Sequence, residues 1–107
     1  MASYNILYDF KSTLIGQGRR FTDEGSGQTI TVRLSSQENG SGGRSDTFVV
    51  QLQAQVQGMW FTVGTASFPR NGLKQVQFTD MAATAYRLRM EKSTDGVQVI
   101  GVGVIHN

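Results

Sequence analysis

Few side chains in this sequence can do covalent or metal chemistry: it has one histidine, no cysteine and eight acidic residues. His106 is the penultimate residue, beyond the apolar pattern of the last strand, where an imidazole is solvated and has no partner. With no second histidine and no cysteine, zinc would have to rely on scattered carboxylates. Asp23-Glu24 is the one adjacent acidic pair, and TDEGSGQ (22–28) offers too few oxygens for a calcium loop. GSGGR (40–44) is glycine-rich, but no helix pattern follows it to aim a dipole at a phosphate. Serines are plentiful, yet no base is paired with them. The expectation is a protein that is not an enzyme and carries no cofactor or metal.

Non-covalent recognition has more to work with. In VVQLQAQVQ (49–57), Val50, Leu52, Ala54 and Val56 alternate with Gln51, Gln53, Gln55 and Gln57, and Gln75 and Gln77 repeat the pattern later. Amides both donate and accept hydrogen bonds, and burying them against a partner costs far less than burying ions. Free-standing sheets usually protect such strands with lysine, glutamate or proline. These six glutamines are therefore candidates for surface that loses its water when subunits meet, with a merely solvated face as the alternative. Trp60, the sole tryptophan, is either a sugar-stacking platform or a ring packed across a sheet edge or into the core. Arg87 and Arg89 share one strand face and can pair with carboxylates or stack on Trp60. Tyr4 and Tyr8 lie on a first strand that needs cover on one side.

Those residues have to be positioned by strands. The 107 residues support one domain, 1–107, with one core. Charged residues at 17% fall well below the usual quarter, and polarity comes instead from ten glutamines, ten threonines and thirteen glycines. That mixture favours strands and turns over helices. A net charge of +2 and no basic cluster beyond Arg19-Arg20 argue against a nucleic-acid partner. No run approaches the roughly 18 apolar residues of a membrane span. MASYNILYDF lacks the marks of a signal peptide, so use without secretion is expected, unless Met-Ala-Ser stands where a leader was removed.

Alternation predicts a first strand with Tyr4, Ile6, Tyr8 and Phe10 on one face, and a second with Ile30, Val32 and Leu34. A third begins near Thr47 and turns at Gln57-Gly58 into Met59–Val63, whose Met59, Phe61 and Val63 form the more continuous apolar side, opposite Trp60. Pro69 to Gly72 is a turn, followed by strands over 74–79 and 85–91. Asp95-Gly96 reads as a hairpin into the final strand, VQVIGVGVI (97–105). That strand is apolar on both faces, so its second side needs cover from the domain itself or from another subunit. Gly101 and Gly103 leave one side flat enough for a ring or a backbone to approach. SSQENGSGGRSD (35–46) and TDEGSGQ are expected as exposed loops. The fold expected is an all-β antiparallel sandwich of seven or eight strands, jelly-roll or immunoglobulin-like.

The stretch FVVQLQAQVQGMWFTVGTASF, followed by AYRLRMEKSTDGVQVIGVGVI, resembles small β-sandwich domains of tailed-bacteriophage virion proteins. The likeness spans about Phe48 to Ile105, and immunoglobulin-like and carbohydrate-binding sandwiches share much of it. Gln57 departs from it, standing where an acidic residue often precedes the turn glycine. The resemblance implies a structural subunit of a virion, such as a capsid decoration or small head or tail protein, assembled in the host cytoplasm. Its partners would be copies of itself or other particle proteins, and it transfers no catalytic residue. A glycan- or cell-surface-binding module built on Trp60 and Tyr86 is the alternative, and a small secreted toxin a third.

Overall fold

A computed structural model describes residues 1–39 and 47–107. The strands run β1 (Ser3–Phe10), β2 (Thr13–Ile15), β3 (Arg19–Phe21), β4 (Gln28–Asn39), β5 (Thr47–Val56), β6 (Met59–Pro69), β7 (Gly72–Met81), β8 (Thr84–Glu91) and β9 (Gln98–His106). They form two antiparallel sheets. Sheet A has the order β1-β9-β4-β7; sheet B has the order β2-β8-β5-β6, with β3 also on β8.

Taking β2 and β3 as halves of one interrupted strand gives eight strands that cross between the sheets at every step except β5 to β6. That is the order of a jelly roll. Among the described residues only Gln57-Gly58 closes a hairpin, with φ of 52° and 79°, the left-handed pair that matches strand twist. Asp95-Gly96, expected to close another, instead carries the chain from β8 in sheet B to β9 in sheet A. Turn chemistry cannot tell a hairpin from a crossing.

The alternating residues meet between the sheets. Ile30, Val32 and Leu34 of β4 face Phe48, Val50 and Leu52 of β5 and Leu88 and Met90 of β8, all at most 5% exposed. Aromatic pairs extend this core at both ends. Tyr4–Phe21 and Phe10–Phe48 meet edge to face at 5.2 and 5.5 Å, and Phe48 stacks on Phe68 at 6.1 Å. Such pairs add about 1 kcal/mol each beyond the area they bury. Gly101 lets the Tyr8 ring lie flat on β9, so the domain itself covers the glycine side of the last strand.

Two expected loops differ. Residues 35–39 continue β4, because the β9 backbone offers a full ladder from Ser35↔Val102 to Asn39↔Gln98 even though the segment is polar. The rest of that expected loop, 40–46, lies outside the described residues. Gln28, at the end of the other, is buried: its amide donates to the Phe21 carbonyl at 2.7 Å and the Ala82 carbonyl at 2.9 Å.

Candidate functional site

The outer face of sheet B gathers part of the glutamine row. Register places Gln51 opposite Arg89, Gln53 opposite Arg87, and Gln55 opposite Trp60. Arg87 Nε donates to Gln53 Oε1 at 2.8 Å, and Gln53 Nε2 reaches Thr62 Oγ1 at 3.4 Å. Arg89 Nη1 contacts Gln51 Oε1 at 3.4 Å and pairs with Glu91 at 2.8 Å. The Arg87 guanidinium lies over the Trp60 ring, 4.5 Å from its centre. Trp60 crosses its own sheet and backs onto Gly18, where an added Cβ would stand 2.9 Å from the ring. Gln53 is only 9% exposed as a result. Amides that looked reserved for another molecule are thus bonded within the chain, and the arginines supply the partners.

Gln75 and Gln77 belong to a different surface. They stand exposed on β7, at the edge of sheet A, while Gln57 sits in the β5–β6 turn. The six glutamines are not one face. Alternation assigns each to the outside of its strand but says nothing about which sheet the strand joins.

Tyr4 and Tyr8, expected as contact residues, turn inward. Tyr8 is 4% exposed and its hydroxyl bonds with Ser36 Oγ; Tyr4 packs on Phe21 and donates to the Arg20 carbonyl at 2.9 Å. His106 is the last residue of β9 rather than beyond it, and is half-buried. Met59 and Phe61 lie opposite Val56 and Ala54, on the core side as expected, yet are 62% and 49% exposed. A register shift beside Leu52 makes Val63 the extra residue there, and it is exposed too.

The outer face of sheet A has a different character. Leu7, Val102, Ser35 and Leu73 form one row across β1, β9, β4 and β7. Asn5, Val104, Arg33 and Gln75 form the next, and Asp9, Ile100 and Gln37 flank the first on its other side. Leu7, Val102 and Leu73 are 82%, 56% and 55% exposed. Asp9 and Arg33 are the charged residues in these rows. The Ile100-Val102-Val104 stripe is the side of β9 that was expected to need cover; Val102 is exposed and Ile100 and Val104 are half-buried.

One cluster had no visible signal in the sequence. At the end of the sandwich where β6 crosses to β7 and β8 to β9, Arg70 is completely buried. Its guanidinium reaches Asp95 at 2.7 Å, Ser93 Oγ at 3.0 Å and the Thr47 carbonyl at 3.1 Å, with Glu38 at 3.5 Å. Lys92 Nζ donates to Asp95 and to the carbonyls of Lys11 and Ser93, each at 2.8 Å. Hydrogen bonds from Lys92, then Arg70 and the Val97 amide, hold the Asp95 carboxyl well below the usual carboxylate range. With these charges paired, this is a clamp on five chain segments. The available hint was weak: cations and an aspartate, each next to a predicted turn.

Among the described residues, no three His, Cys, Asp or Glu side chains gather as a metal site, and no helix is long and apolar enough to cross a membrane. Sequence reading also passed over one further signal: residues 47 to 69 contain no ionisable side chain, and this run is β5 and β6 with their turn. No protein-family model matches the chain, and no curated protein matches it as a relative.

Proposed function

We propose that this protein is a non-enzymatic structural subunit of a phage-like particle, a capsid decoration or small head or tail protein. It works by protein–protein contact with copies of itself or with neighbouring particle proteins. The observation that carries this reading is the outer face of sheet A, where Leu7, Leu73 and Val102 lie open, with half-buried Ile100 and Val104 beside Val102, among uncharged Ser35, Gln37 and Gln75. Grouped apolar exposure of this kind marks contact surface. A stable contact of standard size covers about 800 Å² per partner, and each apolar Å² removed from water contributes about 25 cal/mol before the costs of association. The jelly-roll order is compatible with this role, since capsid proteins use it, but lectins use it as well.

Light scattering across a concentration series, together with binding to candidate particles, tests the reading. Mass that grows with concentration, or capture by a particle, is expected. A strict monomer that no particle captures would overturn it. The glycan alternative has less support, because Arg87 covers the Trp60 ring on which a sugar would stack. Glycan-array binding that disappears in Trp60→Ala would nevertheless shift the assignment to a glycan-binding module.

A further inference from the structure

The interrupted strand β2–β3 opens a window into the sandwich. Ile15 lies opposite Arg89 and Arg19 opposite Tyr86, so Gly16, Gln17 and Gly18 span only two residues of β8, Arg87 and Leu88. Three residues against two make a bulge, and bulges often occur beside functional sites. Gly16 N still donates to the Leu88 carbonyl at 2.8 Å, and Gly16 lines the space between the sheets without a side chain to fill it. Next to this bulge runs β1, the edge of sheet A. Between the two edges lies a cleft of about 160 Å³ with Ile6, Leu14, Leu88 and Met90 as its apolar floor. Asn5, Gln17 and Arg19 form its polar rim.

Arg19 is the anomaly in this setting. It is half-buried, and its guanidinium stacks 5.2 Å from the centre of the Tyr4 ring. Among the described residues no carboxylate pairs with it. Arg70, the other inward arginine, is met by Asp95 and Glu38. A cation at the mouth of an apolar cleft favours an anion, and the planar fork of arginine fits a carboxylate through two parallel hydrogen bonds. Arg87 also lines the cleft, but its guanidinium lies over Trp60 and donates to Gln53, which leaves Arg19 beside two neutral amides and matches a monoanion. The volume is close to the roughly 150 Å³ of an apolar cavity that accepts benzene, which limits the tail to about six carbons.

We infer that this cleft binds a small aliphatic monocarboxylate, with the carboxylate on Arg19 and the alkyl chain against Leu14, Leu88 and Met90. The site shares Asn5 and Leu7 of edge strand β1 with the sheet A rows but does not depend on the assembly reading. Two-dimensional amide NMR of the full chain, titrated in parallel with hexanoate, acetate and 1-hexanol, tests it. Hexanoate should give saturating shifts at Gly16, Arg19 and Leu88 with about millimolar affinity, and acetate and hexanol should bind about tenfold more weakly. Arg19→Gln should lower hexanoate affinity by a similar factor. Equal binding of hexanol and hexanoate by the unaltered protein would overturn the assignment without any variant. So would the absence of saturating shifts, or an Arg19→Gln protein that stays folded and binds hexanoate unchanged.

Discussion

The two outer faces of this sandwich handle low charge in opposite ways. On sheet B, Gln51 and Gln53 accept hydrogen bonds from Arg89 and Arg87, and Arg87 also packs on Trp60, so the surface is tied together by its own side chains. On sheet A, Leu7, Val102 and Leu73 stand more than half exposed, with nothing from the described residues above them. Strands β5 and β9, central to the two faces, both look neutral in the sequence. The difference is what each neutral side chain finds beside it: β8 brings arginines to the β5 amides, whereas β9 brings valines and isoleucine to the middle of sheet A. A neutral polar row is therefore weak evidence for an interface until its cross-strand neighbours are known.

Perturbations that separate the two faces rank by their expected effect on stability. Asp95→Asn should be the largest and should weaken both faces together, because it leaves Arg70 and Lys92 buried with less countercharge in the clamp that holds the strand ends. The sign of the acid response follows from the lowered folded pKa of Asp95. Its stabilisation is complete above the unfolded carboxylate value near 4 and fades as pH falls through the acid range. Melting curves should thus show a falling Tm below about pH 4 in the parent protein and a flatter acid limb in the variant.

Arg87→Ala comes next and acts on sheet B alone. It strips the Gln53 carbonyl of its donor and Trp60 of its cation, a loss of about 2 kcal/mol, or about 10 °C in Tm. The single tryptophan should report the loosened face by a red-shifted emission, with self-association intact. Val102→Lys on sheet A should move stability by no more than about 0.5 kcal/mol, since Val102 packs against little within the domain. Gln75→Lys, at the margin of the same face, should change stability least and association only slightly.

Much of the fold was legible. Alternation located the cores of β1, β4, β5, β7, β8 and β9, because each has an apolar face that only burial satisfies. The three-residue strands β2 and β3 were not legible, since segments that short exist only through pairing with β8. Residues 35–39 became strand for the same reason, as the β9 ladder overrides a turn-forming composition. Met59 and Phe61 were placed on the correct side of β6, but periodicity does not reveal whether an opposing sheet covers that stretch. The Arg70–Asp95 clamp joins residues 25 apart through two crossings, a contact that no local pattern encodes. Tyr4 and Tyr8 show the opposite lesson: they were placed on one strand face whose cover could come from the domain or from another subunit, and the domain supplies it.

The proposed function makes sheet A, not the glutamine row, the surface that meets other molecules. Sedimentation equilibrium of Val102→Lys beside Gln51→Lys, each compared with the unaltered chain over the same concentration range, tests this most directly. Association weakened at least about tenfold by the sheet A substitution and nearly unchanged by the sheet B one is the predicted result. Association lost in Gln51→Lys but retained in Val102→Lys would contradict it.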